Sequence, residues 1–286
     1  MRWPFYFLGC QLLHHTVRVV YTLLLADNRD NRDNRDNRDN RDNRDNRDNR
    51  DNTAICIISG GLDSLCVCAY LSEFKKFQIK ALTFSYGQRA KREISTAKKV
   101  TKMLGIDDHR IIDINFMKEL YGNSNVLTSK NMRITQKFNY NLVVPLRNAI
   151  FITIASAWAF SCNAVMIAYG AHTNDSRYPD CRPEFAKSIA KSLNLAEIDR
   201  INSGLKKRIS IWSPSLDGIT KSQLVKIGYK LLGDKIFQTW SCYSDGVRIP
   251  GNGLVHCGRC ESCINRKRAF SKAGIEDKTA YASIRK

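Results

Sequence analysis

Apolar residues along the chain gather into short unbroken runs, each followed by a glycine-containing or polar turn and then by a helical pattern. Ala54-Ile55-Cys56-Ile57-Ile58 is the first such run, and it leads through Ser59-Gly60-Gly61 into a helix over Leu65–Leu71. A second strand is expected over Phe77–Phe84, a lysine-rich amphipathic helix over Ala90–Leu104 and a third strand over His109–Ile114. An apolar helix opening at Arg147 and Asn148 and running to Phe160 precedes a fourth strand over Ala164–Gly170. Arg208–Trp212 reads as a fifth strand, and Thr220 caps a helix over Lys221–Leu232. Met117–Asn141 has weak periodicity and many polar residues, so it reads as a mobile loop beside the site. Strands alternating with helices predict a doubly wound parallel sheet. Right-handed crossovers bring the loops after the strands to one edge, so Ser59–Ser64 and Ser85–Arg89 should face one crevice.

Before this pattern begins the chain reads differently. In Met1–Ala26, Gln11, His14, His15 and Arg18 interrupt each apolar run before it reaches bilayer-spanning length, and no clean apolar segment leads to a cleavage site. From Asp27 to Asn52 the triplet Asp-Asn-Arg repeats without a break; it offers nothing to bury and should be disordered. The expected organisation is an extension over 1–52, an α/β domain over 53–235 and a four-cysteine region over 236–286.

The stretch Ser59-Gly60-Gly61-Leu62-Asp63-Ser64 carries the first chemistry. A strand entering a helix through paired glycines lets backbone N–H groups approach an anion, and the helix N-terminus adds partial positive charge. Ser59 and Ser64 can donate to phosphate oxygens, whereas Asp63 would repel them unless a divalent cation sits between. No lysine follows the glycines, which excludes the G-x-x-x-x-G-K-[ST] loop, and the spacing excludes G-x-G-x-x-G. A purely structural alternative is a glycine turn in which Ser64 caps the helix.

Ten cysteines divide by position. Cys56, Cys66, Cys68 and Cys162 fall in apolar patterns as small hydrophobes, whereas Cys242, Cys257, Cys260 and Cys263 crowd at metal-ligand spacing. Overlapping C-x-x-C pairs plus an upstream thiol predict a closed, structural zinc site, with His256 as an alternative ligand and an iron–sulfur cluster as an alternative occupant. That usage fits a reducing cytoplasm and argues against a disulfide scaffold. A net charge of +19 suits anionic partners, but it is spread through the chain, and direct nucleic-acid binding is not expected.

The loop at 59–64 resembles the SGGxDS motif of the N-type ATP pyrophosphatases, the PP-loop superfamily. With Phe84-Ser85-Tyr86-Gly87-Gln88-Arg89, Pro145-Leu146-Arg147-Asn148, the YPDCRPEF segment at 178–185 and the cysteine motif, the chain resembles the 7-cyano-7-deazaguanine synthase family over about residues 53–275. It departs from the common pattern at Leu146, where many members carry glycine or asparagine, in the loop at 170–177 and in a longer loop between Cys242 and Cys257. The resemblance implies an α/β fold like the adenine nucleotide alpha hydrolases, with a small C-terminal zinc-binding subdomain. It implies a carbon–nitrogen ligase of queuosine or archaeosine biosynthesis, making the 7-cyano base from 7-carboxy-7-deazaguanine, ammonia and ATP through adenylated intermediates. ATP, Mg²⁺ and Zn²⁺ are the implied cofactors; small molecules are the partners, and a homodimer is left open.

On that resemblance, Ser59, Gly60, Gly61, Leu62, Asp63 and Ser64 hold pyrophosphate and metal, and Phe84, Tyr86, Gln88 and Arg89 line the nucleotide pocket. Asp63, Ser64 and Arg147 are the catalytic candidates, Arg147 by neutralising phosphate. Tyr178, Asp180, Arg182 and Glu184 contact the deazaguanine, while Cys181 is taken as structural. The competing functions are a tRNA-modifying thiolase or amidotransferase of the same ATP-loop class, and a zinc-ribbon nucleic-acid-binding protein with a decayed loop.

Overall fold

A computed structural model of the protein describes residues 52–251 and 253–282; the extension and its repeat lie outside the described residues except for Asn52. Five parallel strands form the main sheet: β1 (Thr53–Ile57), β2 (Gln78–Ser85), β3 (His109–Asp113), β4 (Met166–Ala168) and β5 (Ser210–Trp212). They lie in the order β3-β2-β1-β4-β5, so the winding reverses between β1 and β4. In register, Cys56 sits opposite Ala81 of β2 on one side and Ala168 of β4 on the other. Such a reversal leaves a crevice outside the carboxyl ends of the two central strands.

Successive strand residues point to opposite faces, and the core divides accordingly. Ile55, Leu82, Ile167 and Ile211 pack with Ile152 and Ala159 of the helix α4 (Arg147–Cys162). Cys56, Ala81 and Ala168 pack on the other face with α1 (Leu62–Glu73), α2 (Arg92–Met103) and α7 (Lys221–Leu232). Cys56, Cys66 and Cys68 are buried there as small hydrophobes. Tyr140–Cys162 is apolar enough by length and composition to cross a bilayer. Its continuous helix is only 16 residues, however, and Ile152, Ala155 and Ala159 are buried in the sheet-facing core.

Two sequence expectations need correction. Helix α1 begins at Leu62 with Gly61 as N-cap, so Ser64 lies inside the first turn and is not the cap. Residues 117–141 are also not a peripheral loop. They include α3 (Met117–Tyr121) and bury Val126 and Leu127, and the 3₁₀ turn Tyr140–Leu142 buries Leu142 in the same cluster. Buried Asn125 accepts from Leu127 and Thr128 amides at 3.1 Å each. Polar residues here satisfy the backbone of an irregular buried segment, which leaves no period to read.

Other elements carried no expectation: α5 (Pro183–Ala196), α6 (Ile198–Asn202), the hairpin β6 (Val247–Ile249) with β7 (Gly253–Val255), and α8 (Glu261–Ala273). Phe270 of α8 is buried against the α1 and α7 face of the core. The Trp240 amide donates to Gly60 O at 2.9 Å, so the cysteine-bearing region is fastened to the loop after β1.

Candidate active site

The loop after β1 is held by its own hydroxyls. Ser64 Oγ donates to Gly61 O at 3.0 Å, and Gly61 N donates to Ser59 Oγ at 3.3 Å. Gly60 has φ +78°, and a Cβ there would stand 2.5 Å from Glu93 O and 2.6 Å from Ala97 N of α2. A side chain at Gly170, at the end of β4, would come within 3.1 Å of Ser64 N. The loop is therefore clamped between α2 and β4, and Ser59, Gly61, Leu62, Asp63 and Ser64 reach a cavity of about 260 Å³ at the switch point. The Leu62 side chain itself is buried in the core, which leaves its backbone as the group facing the cavity.

Asp63 is the electrostatic centre of this edge. Lys221 Nζ lies 2.7 Å from its Oδ2, and His172 Nε2 lies 3.7 Å from its Oδ1. Burial would raise the Asp63 carboxyl, but Lys221 and His172 outweigh it and hold the group below the ordinary range. Burial pulls His172 down and pushes Asp175 up. Lys221 is positioned because Thr220 forms a capping box with Gln223, and because Lys221 N donates to Asn174 Oδ1 at 2.9 Å. Sequence reasoning read this helix but missed Lys221, His172 and Asp175 as site residues.

Phe84, Tyr86 and Gln88 line the cavity, with Phe84 stacked on Phe151 at 4.2 Å. Gln88 closes its turn by donating to Phe84 O at 3.1 Å and accepting from Tyr86 N at 2.9 Å. Arg147 also lines the cavity. Burial pulls its charge down, but Tyr86, to which it is hydrogen-bonded, together with Asp180 and Cys181, more than restores it. Glu93 stands on the same wall; burial pushes it up to about 7 against the pull of Arg147. It is the sole acidic residue of α2, which was the available signal.

Four predicted residues, Arg89, Asp180, Arg182 and Glu184, stand outside the cavity wall. Arg89 lies outside the cavity wall and donates through Nη1 to the carbonyls of Val126, Ser129 and Met132, pinning the 117–141 segment. Arg182 and Glu184 are exposed, with Arg182 Nε donating to Ser176 O at 2.8 Å. Asp180 accepts from Asn148 N at 3.0 Å, at the first turn of α4. Tyr178 does line the cavity and is hydrogen-bonded to Tyr243, whose hydroxyl donates to Glu261 Oε2 at 2.7 Å. Glu261, Ser262 and Asn265 of α8 complete that wall. Cys181 is buried beside it, its thiol pushed up by burial and accepting from Asn148 Nδ2 at 3.3 Å.

Around the start of α8, the thiols of Cys242, Cys257, Cys260 and Cys263 lie within 4.8 Å of one another, a cluster able to hold a metal. A tetrahedral ion with sulfur at 2.3 Å needs sulfurs roughly 3.8 Å apart, and Cys257 and Cys263 are 3.9 Å apart. Backbone N–H groups of Cys260 and Cys263 donate to the sulfurs of Cys257 and Cys260. His256 is not in the cage: its Nε2 accepts from Ser241 N at 3.0 Å and its ring packs on Trp240.

A family model described as queuosine biosynthesis protein QueC matches residues 53–274. Named relatives are 7-cyano-7-deazaguanine synthases. That of Methanocaldococcus jannaschii is 37% identical over 244 residues, covering 80% of this chain and 98% of its own. That of Rickettsia prowazekii is 37% identical over 235 residues, with 79% and 97% covered. The Thermoplasma acidophilum protein is 34% identical over 232 residues, with 80% and 91% covered. A solved U34-tRNA thiolase from Methanococcus maripaludis aligns at 16% identity over 78% of this chain and 68% of its own, with a TM-score of 0.37, too distant to bear on function. The Ser59–Ser64 loop, the walled cavity and the four-cysteine cluster thus occur in a chain that matches one family from β1 through α8, and the protein belongs to the QueC family of queuosine biosynthesis proteins.

Proposed function

We propose that the protein converts 7-carboxy-7-deazaguanine, ammonia and ATP into 7-cyano-7-deazaguanine, the activity for which its relatives are named. The observation that carries this reading is the convergence of the Ser59–Ser64 loop, Lys221 and Arg147 on one cavity that α8 closes from the other side. The competing thiolase reading wants a reactive thiolate, and the only cysteine on this wall, Cys181, has its thiol pushed up by burial.

A carboxylate is a poor electrophile, so one oxygen must first become a leaving group. Its attack on the α-phosphorus of ATP gives an acyl adenylate and pyrophosphate. Ammonia then forms the amide and releases AMP. A second ATP adenylates the amide oxygen with release of another pyrophosphate, and loss of AMP and the two N–H protons leaves the nitrile. The loop amides and Ser59 and Ser64 hydroxyls bind the departing pyrophosphate, and Arg147 and Lys221 neutralise charge developing on phosphate oxygens. Glu93, titrating near neutrality, accepts a proton as ammonium becomes the nucleophile.

For the base we look to Tyr178, Tyr243 and Glu261, since Arg182 and Glu184 are exposed and Asp180 is spent on the start of α4. Glu261 keeps acceptor capacity for ring N–H and amino donors. Asp63, with its buried Oδ1 lacking a partner, fits a Mg²⁺ that would neutralise the phosphates. The four thiols fit a structural Zn²⁺ that closes the start of α8. Cysteines left out of disulfides support a cytoplasmic location.

Incubation with 7-carboxy-7-deazaguanine, ammonium, ATP and Mg²⁺ should yield the nitrile with AMP and pyrophosphate, and Asp63→Asn should abolish it. ADP and phosphate as products would overturn the assignment of the loop.

A further inference from the structure

The two oxygens of Asp63 meet different surroundings. Oδ2 receives Lys221 Nζ at 2.7 Å, while Oδ1 is buried without a hydrogen-bond partner. Facing Oδ1 at 3.7 Å is Nε2 of His172, a side chain only 3% exposed, and neither of its ring nitrogens has a hydrogen-bond partner. On the far side of the ring, Nδ1 lies 3.3 Å from Asp175 Oδ2, the oxygen that also accepts from the His172 backbone amide at 3.2 Å. Buried polar atoms left without a partner are costly, so this cluster calls for an occupant.

We propose that His172 Nε2 and Asp63 Oδ1 jointly ligate the divalent cation of the phosphate site, with Asp175 positioning the imidazole. The inference rests on reading Ser59–Ser64 as a pyrophosphate loop. An ion at about 2.0–2.2 Å from a nitrogen and from a carboxylate oxygen can touch both when they are 3.7 Å apart. A carboxylate at the second ring nitrogen is the usual partner of a metal-binding histidine, since it keeps the proton on Nδ1 and the lone pair of Nε2 toward the metal. Charge points the same way. Asp63 and Asp175 face Lys221 here, with Arg266 also acting on the cluster, and a divalent cation adds the positive charge that a polyphosphate beside these carboxylates requires. An imidazole nitrogen beside a carboxylate is a set that transition-metal divalent ions take more readily than Mg²⁺, so Mn²⁺, which also accepts carboxylate and phosphate oxygens, is the probe for it.

The full-length, zinc-loaded protein with Mn²⁺ and inorganic pyrophosphate provides the test, read by electron spin echo envelope modulation. Bound Mn²⁺ should show imidazole ¹⁴N modulation. The modulation should vanish in His172→Ala, with Mn²⁺ affinity falling at least about tenfold, and Asp175→Asn should weaken binding by about tenfold while keeping the nitrogen signal. Bound Mn²⁺ without nitrogen modulation in the unaltered protein would overturn the proposal and leave His172 as an imidazolium between two carboxylates. That result needs no variant to fold. AMP and pyrophosphate formation without nitrogen modulation would overturn this ligand set alone. Failure of Mn²⁺ to bind even with pyrophosphate would overturn it too, and absence of AMP as well would take the pyrophosphate-loop reading with it.

Discussion

Lys221 Nζ and Asp63 Oδ2 meet at 2.7 Å across 158 positions of sequence, joining the first residue of α7 to the Ser59–Ser64 loop. Each holds the other charged against burial: Lys221 is raised and Asp63 lowered from their ordinary values. Removing one partner leaves an uncompensated buried charge, which costs about 3–5 kcal/mol. Lys221→Met should therefore lower thermal stability, and it should also cut kcat/KM for ATP by about a hundredfold as phosphate stabilisation is lost. Lys221→Arg should recover part of both. Unchanged ATP kinetics in Lys221→Met would make the pair purely structural.

Glu261 is on the cavity wall and Glu184 is exposed. If Glu261 receives the donors of the base, Glu261→Gln should raise KM for 7-carboxy-7-deazaguanine by about tenfold or more, since a hydrogen bond to a charged group contributes about 1.5–3 kcal/mol. KM for ATP should stay near its original value, and Glu184→Gln should change neither. Steady-state kinetics varying each substrate separately decides it; an equal effect on both Michaelis constants would count against a specific base contact.

Metal analysis should find about one zinc per chain, because a closed thiolate site contributes folding free energy on the order of 10 kcal/mol. Cys260 accepts from the Cys263 amide at 3.4 Å and caps α8, whose first residue is Glu261. Cys260→Ser should thus lose metal, stability and base binding together. Iron in place of zinc, or a metal-free protein of unchanged stability, would contradict the structural-zinc assignment.

Leu146 has φ +55° and ψ +18° at the N-cap of α4 and is 68% exposed. A left-handed conformation costs a side chain with a Cβ roughly 1–2 kcal/mol, and asparagine tolerates it better. Leu146→Asn should stabilise the protein by about 1 kcal/mol, raising Tm by about 2–4 °C, with activity retained. This conformation also gives the physical reason that glycine or asparagine suits the position. A lowered Tm would mean that the leucine side chain makes contacts that outweigh the strain.

His109 lies between Thr83 Oγ1 at 2.8 Å and Thr101 Oγ1 at 2.9 Å, tying β3 to β2 and α2. Burial, aided by Lys98, lowers its titration below the ordinary 6.5. A histidine lowered on folding contributes fully above pH 6.5, and that contribution is lost as pH falls through its folded-state value. Denaturant unfolding should show stability declining below pH 6.5, with the slope reduced in His109→Gln. An identical slope in the variant would assign the decline to other groups.

The sequence alone determined what depends on neighbours along the chain. Alternating strands and helices, the Ser59–Ser64 turn, the Thr220 cap and the spacing of Cys257, Cys260 and Cys263 are local patterns, set by burial period and backbone chemistry. Local reading failed where residues serve distant ones. Arg89, next to cavity residues in sequence, turns to the carbonyls of Val126, Ser129 and Met132. Asp180 is taken by the Asn148 amide. Glu93 read as one charge on a lysine-rich surface helix until the Gly60 turn closed against it. The joining of Asp63 to His172 and Lys221, and of Tyr178 to Tyr243 and Glu261, was decided only by tertiary structure. Crossovers of a doubly wound sheet bring strand ends to one edge, but which side chains touch there depends on how helices more than a hundred residues apart pack, and no period along the chain encodes that.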